Sequence, residues 1–426
     1  MKLESITKYI FLIGLSLLMF RNGSFGATGI PKLFESVMVI VVLLTVFDLV
    51  RNKKIREFFF SIPRNVRIAL GVLYGSIGVG WIFALFVRHI PFAQNTLYEI
   101  GMVSVAVTTF LLVLFYSRHH QDFARECFYT LLVPAIFVLC IAFPSAALFL
   151  DVARGAVFKG FSDNVEIISK ILLVPGMFFI TYAVFEHRWR WYRIVSVVMA
   201  IAFVALIFWT TERAAMLALA GGSFVVWALA AMREKNWKKI VGSAGILIAV
   251  LAIGFLVVPH QGKKAAIDRA LNTDANQSGY EKIKDSSVSE VFQNSVTTPK
   301  TSIIDSEPRF RIWKYYLDQV LHNPLGLGPN THMDAEIFHP RRTFINPGPH
   351  NAYLQIWLWG GIVGLVAFMY ILANSYAHAY RRFREQPTVY ILALLGSLAA
   401  LSTTIFFNDN LSSYWLWVLL AVSLRL

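Results

Sequence analysis

Apolar runs of roughly 15 to 24 residues recur along the chain, the length an α-helix needs to cross about 30 Å of hydrocarbon. Twelve spans are predicted, at about 8–20, 33–50, 67–87, 97–116, 127–150, 165–185, 191–209, 214–232, 240–258, 352–375, 389–406 and 411–424, the last of them short. The first has the outline of a signal peptide, with Lys2 and Lys8 ahead of it and Gly26 and Ala27 behind. The alternation of sides described next closes only if that span is retained. Heptads and internal repeats are not evident.

Lys and Arg alternate between connections. One set holds Lys2 and Lys8; Arg51, Lys53, Lys54, Arg56, Arg64 and Arg67; Arg118 and Arg125; Arg188, Arg190 and Arg193; Arg233, Lys235, Lys238 and Lys239; Arg381, Arg382 and Arg384; and Arg425. The short connections of the other set hold few: Arg21 and Lys32, Arg88, Arg154 and Lys159, and Arg213. Basic connections stay in the cytoplasm, so both termini are expected there.

One connection is different. The chain divides into spans over 1–258, a loop over 259–351 and spans over 352–426, the loop lying on the outer, periplasmic side. Its charges nearly balance, and long loops cross largely regardless of charge. Residues 272–301 are rich in Ser, Asn, Lys and Asp and read as a mobile stretch. A helix is predicted near 308–322. Ser306 can cap it, Pro308 suits its first turn, and Asn323-Pro324 stops it. Phe310, Trp313, Leu317, Val320 and Leu321 recur at three and four, the spacing of a buried face. Arg311, Lys314 and Asp318 fall on the polar side, whereas Arg309, one turn before Trp313, flanks the buried one.

Composition agrees with the span pattern. The 426 residues are 57% hydrophobic and only 15% charged, where a soluble domain carries about 25% charge. The predicted fold class is an all-α polytopic membrane protein. The net charge of +14, with a pI near 9.7, would suggest nucleic acid in a soluble protein. Here the cations mark topology, and no nucleic-acid partner is implied. Cys127 and Cys140 share one apolar segment and say little about redox compartment.

Charged residues near span ends sort by side: Glu99, Asp163, Glu166, Lys170, Arg213 and Asp409 all map to outer ends, and His350 begins the tenth span there. An imidazole at a helix entrance can simply cap backbone; it can equally remove a proton from a hydroxyl, since its ordinary pKa is near 6.5. Arg213, in TTERAAM, can anchor at the interface, pair with Glu212, or present a fixed guanidinium to a phosphate. Arg309 can brace the loop helix or point a cation inward. Arg269, in IDRALN, and Asp409, in FNDN, read first as structural. Lys170 lies more than one turn inside its span and can snorkel outward or meet an anionic headgroup. His332, His339, Asp334 and Glu336 match no closed metal spacing, so neither metal nor cofactor is expected. GLGPN, 326–330, lacks a Walker lysine and reads as a turn or at most a backbone anion nest.

RxxxW over Arg309–Trp313, then NPLGLGPN, then HNAYLQIWLWGGIVGL, resembles the signature region of the O-antigen ligase and polymerase superfamily. TTERAA is similar to that family's TxxRA step at the start of a late helix. The likeness of pattern covers about Thr210 to Gly364; the first 200 residues match in topology only. It implies a glycosyltransferase of the C-type membrane fold in a bacterial inner membrane. The donor would be a glycan on undecaprenyl pyrophosphate, taken at the periplasmic face. In the ligase branch the acceptor is a sugar hydroxyl of lipid A-core. The resemblance implies His350 as catalytic base and Arg213 and Arg309 as donor-binding cations, the latter by the four residues to Trp313 and the further eleven to Pro324. Arg269 corresponds by rough position, Asp409 by its outer turn, and Lys170 stands as a headgroup contact. Glu212, directly before Arg213, departs from the small or polar residue more usual there.

Other readings differ in acceptor or in class. A repeat-unit polymerase would use a second lipid-linked glycan, and a protein O-oligosaccharyltransferase a protein hydroxyl. A transporter of lipid-linked glycan would place ionisable residues and broken helices near the midplane.

Overall fold

In the computed structural model the described residues are 3–17, 33–88, 94–147, 165–185, 190–210, 212–234, 236–258, 263, 267, 308–330, 349–408, 411 and 413–426. They form helices and turns, with no strand among them. The helices are α1 (Leu3–Ser16), α2 (Leu33–Arg51), α3 (Ile55–Ser61), α4 (Arg64–Phe86), α5 (Gln94–His119), α6 (Phe123–Thr130), α7 (Val133–Ala147), α8 (Val165–Phe185), α9 (Arg190–Trp209), α10 (Arg213–Arg233), α11 (Trp237–Val257), α12 (Pro308–His322), α13 (Ala352–Glu385), α14 (Val389–Phe407) and α15 (Tyr414–Ser423).

Nine candidate spans among the described residues are long and apolar enough to cross a membrane, and α15 is a shorter apolar helix. The expected fifth span is two helices, α6 and α7, with a break at Leu131–Leu132. Large apolar side chains point outward along the bundle: Val79, Ile82 and Phe86 on α4, and Ile248, Ile253 and Leu256 on α11, are all exposed. Water would penalise such a surface and lipid does not. Inside it, every residue of α15 is buried. At about 1.5 Å per residue its ten residues cover only half the hydrocarbon. The expected twelfth span is therefore a buried half-helix rather than a full crossing. The Trp417 ring meets Phe110 of α5 at 5.7 Å and Phe368 of α13 at 6.0 Å, and its Nε1–H donates to the Leu411 carbonyl at 2.8 Å.

One end of the bundle collects the basic connections. Lys8 pairs with Glu126 at 2.8 Å and Lys54 with Glu4 at 3.2 Å. Arg118 donates to the Phe60 carbonyl at 2.8 Å, and Arg425 to that of Ser61. These contacts bring α1, the α2–α3 turn, the α5–α6 turn and the end of the chain to one face. It is called the basic end below; the opposite face, where α13 begins and α14 finishes, is the His350 end.

α13 is broken in its first third. Gly361 has φ 64° and ψ −168°, a backbone conformation open only to glycine. The turn after α12 fills the break. Leu327 N–H donates to the Leu358 carbonyl at 2.6 Å, and Ile362 N–H donates to the Pro324 carbonyl at 3.2 Å. The backbone groups freed by the kink are therefore satisfied by protein, a condition for irregular backbone at membrane depth. Contact is close enough that a Cβ on Gly361 would strike the Pro324 carbonyl, and one on Gly80 of α4 the Trp359 carbonyl. The NPLGLGPN stretch is thus a re-entrant turn wedged between α4 and α13.

Candidate active site at the His350 end

The site is organised by the last turn of α14. There Ala352 N–H donates to the Asn408 carbonyl at 3.0 Å, tying the entrance of α13 to the exit of α14. Asn351 caps α13, its side chain accepting from the N–H groups of Tyr353 and Leu354 at 3.0 and 3.1 Å. With Asn351 doing the capping, the imidazole of His350 is not the cap. His350 instead has φ 45°, a left-handed conformation that costs a non-glycine residue about 1–2 kcal/mol. The neighbouring Asn351 and Asn408 are almost wholly buried, and they hold the strained residue in place. Strain over-determined in this way clusters at functional sites.

α12 docks on the same turn. Trp313 packs edge-on against Phe406 at 5.4 Å and tilted against Phe407 at 6.1 Å. Arg309 precedes Trp313 by one helical turn and therefore lies on the same side of α12; its position follows from the backbone, and its side chain lies outside the described set. The far end of α12 is fixed by Arg88, which donates to Asn323 Oδ1 at 2.8 Å. The buried face of α12 departs from the expected one. Tyr316 and Val320 are buried, whereas Leu317 and Leu321 are exposed, 43% and 63%. Leu325, just beyond the helix, is exposed as well, at 51%. A helix at a membrane boundary has two apolar surroundings, and a pattern read for one of them misplaces the other.

Arg213 reaches the same level by helix register. α10 and α14 are antiparallel and touch through glycine: a Cβ on Gly222 would lie 2.8 Å from the Gly396 carbonyl and 3.0 Å from Ala400 Cβ, and one on Gly221 3.5 Å from Thr403 Oγ1. Counting back from Gly222 to Arg213 rises about 13.5 Å. The same rise along α14 from Ala400 arrives beside Asn408. Arg213 is the first residue of α10 and half-buried, with Glu212 as the N-cap. A cation there adds to the positive end of the helix dipole instead of offsetting it, so its field favours an anion.

Lys170 is 2% exposed, so it does not snorkel into water. Met177 of α8 sits beside both Gly222 and Gly396. Lys170, two turns further towards the His350 end, is therefore level with about Thr403, a little deeper than Asn408. An ammonium buried among helices at that depth is costly.

His350 and the Arg309 turn of α12 thus attach to the end of α14, and by helix register Arg213 lies at about that level and Lys170 a little beneath it. Arg269 and Asp409 lie outside the described residues, as do Asp163, His332, Asp334, Glu336 and His339 and the side chains of Glu99 and Glu166. No group of three or more metal-ligating side chains occurs among the described residues. An apolar pocket of about 200 Å³ between Tyr74, Trp81, Ile100, Val103, Pro329 and Trp359 lies beside the re-entrant turn. A second cavity, of about 790 Å³, is at the basic end. Neither is lined by Arg213, Lys170 or His350.

Sequence reasoning gave no part in holding the site to Asn351, Asn408 or Arg88, and read Asn323 only as part of the stop to α12. The signal for Asn351 was present, since Asn directly before an apolar helix is a capping residue. The break at Gly361 had a weaker one, a glycine pair facing a Pro/Gly segment that cannot be helical.

Taken together, the lipid-facing apolar belt, the re-entrant turn and the polar cluster at one end define a multi-pass helical membrane protein with a candidate site at a membrane surface. Comparison with known families then narrows the class. Residues 198–369 match the family model Wzy_C, O-Antigen ligase, and the stretch runs from α9 into α13, across Arg213, α12 and His350. The match supports a place for the chain in the O-antigen ligase and polymerase superfamily, with glycosyltransferase activity of that type. No curated protein matches the chain.

Proposed function

We propose that the protein moves an O-antigen glycan from undecaprenyl pyrophosphate to a sugar hydroxyl of lipid A-core, at the periplasmic face of the bacterial inner membrane. The observation that carries this is the strained His350, pinned by the backbone at the level where α10 delivers Arg213 and α12 its Arg309 turn. His350 takes the proton of the acceptor hydroxyl. The freed oxygen attacks the anomeric carbon and forms the new glycosidic bond. The bond from that carbon to the pyrophosphate oxygen breaks on the opposite side, so the step is one displacement with inversion. Negative charge builds on the departing undecaprenyl pyrophosphate. Planar guanidiniums at Arg213 and Arg309 take it up bidentately without a metal, and Lys170 adds a deeper cation. Arg269 and Asp409 join this set through the family resemblance. α12 closes over the donor and excludes water. Both termini are cytoplasmic in this reading, and the 259–351 loop is periplasmic.

The test is transfer in proteoliposomes charged with labelled lipid-linked glycan and offered either lipid A-core or unlabelled lipid-linked glycan. Label on lipid A-core is expected. Label only on the second lipid-linked glycan would make the protein the polymerase, and label on neither would remove both the ligase and the polymerase readings. The break at Gly361 is a feature that a transporter would share. It is filled by the Pro324–Leu327 backbone.

A further inference from the structure

The cavity of about 790 Å³ at the basic end plays no part in the transfer described above. It opens where α6 starts, α8 and α10 finish, and α11 and α14 begin. Three of its lining side chains are cationic, Arg125, Arg233 and Lys239, and one, Glu234, is acidic. Glu234 pairs with Lys239 at 3.5 Å. The arginines are held differently: Arg125 lies over the Tyr129 ring at 6.0 Å and Arg233 over Phe185 at 5.9 Å. Ring faces position a guanidinium without neutralising it. The first turns of α11 and α14 also border the space and add the positive ends of their dipoles. The Tyr390 hydroxyl, on the cavity wall, is buried and has no hydrogen-bond partner among the described residues.

The cationic side chains Arg125, Arg233 and Lys239 are exposed, and near them in sequence Met232, Trp237 and Val241 are exposed apolar side chains, at 75%, 67% and 56%. Exposed cations among exposed apolar side chains suit a lipid, whose head meets the charge and whose chains meet the apolar surface, better than a soluble anion. The volume falls in the range of small-molecule sites. We propose that this cavity binds the phosphate head of an anionic phospholipid from the leaflet at the basic end, with Arg125 and Arg233 as its charge partners.

The experiment uses the full chain in nanodiscs of zwitterionic phospholipid doped with phosphatidylglycerol, scored by native mass spectrometry for retained anionic lipid. Wild type is expected to retain it. Each basic residue at a membrane surface contributes roughly fivefold, so Arg125→Gln with Arg233→Gln should weaken retention by about thirtyfold. Ala230→Trp, which fills the cavity and leaves every charge in place, should weaken it comparably. Undiminished retention in either variant overturns the proposal. So does competition in which inorganic phosphate binds wild type as tightly as the lipid and displaces it, since the ligand would then be a soluble anion. Lipid retention is read without glycan turnover, so this result and that of the transfer assay fall separately.

Discussion

His350 pays for its backbone, and that makes it informative. Glycine would hold φ 45° without strain, so a structural role alone would favour glycine. His350→Gly should therefore be more stable than His350→Ala by about 1 kcal/mol, read as a higher midpoint of thermal unfolding in detergent, with both variants inactive. Equal stability would mean that the conformation is not strained. Arg213 has a companion prediction. Charge-assisted hydrogen bonds contribute about 1.5–3 kcal/mol, so Arg213→Ala should weaken donor binding about ten- to a hundredfold. Arg213→Lys should recover little of it, because a point charge cannot bridge two phosphate oxygens. Unchanged donor affinity would leave Arg213 a structural residue. At this scale the sequence displayed the chemistry-bearing types and the span ends at which they lie. It did not display the part played by Asn408, which acts through a backbone carbonyl that any residue carries.

Among the elements, the broken α13 and the turn lodged in it set the depth of everything attached to α12. Gly361→Ala forces a side chain into a glycine-only conformation at a cost of about 1–3 kcal/mol and drives Cβ into the Pro324 carbonyl. It should lower the unfolding temperature and expose the Pro324–Leu327 backbone to hydrogen exchange; wild-type protection there would mean that the turn is held by something else. The α10–α14 contact is similar: Gly222→Leu meets Met177, Gly396 and Ala400 and would displace Arg213 from the level of Asn408. Long apolar runs between charged connections are a strong signal, because lipid demands about twenty apolar residues whatever the fold. The same strength hid the kink, since WLWGGIVGLVAF reads as one uninterrupted run and glycine is ordinary in membrane helices. It hid the true face of α12 as well, where Leu317 and Leu321 answer to lipid and Tyr316 and Val320 to protein.

For the whole molecule, two polar ends separated by a lipid-facing belt make a directional claim. Lys239 is exposed at the basic end and the Asp318 side chain is 65% exposed on α12. In a background without Cys127 and Cys140, Lys239→Cys should react only with reagent supplied from the cytoplasm and Asp318→Cys only with reagent supplied from the periplasm. Labelling of both from one side would undo the orientation. The expected orientation rests on the alternation of Lys and Arg between connections. The convergence of Arg213, α12 and His350 on the end of α14 needed the register between helices, which no single stretch of chain contains. The most direct measurement of the central claim is His350→Ala in sealed proteoliposomes, assayed in one preparation for bound lipid-linked glycan and for glycan transferred to lipid A-core. Donor binding close to wild type, with transfer reduced by about 10²–10⁴-fold, is the predicted result. Transfer at the wild-type rate would contradict the assignment of His350 as the base.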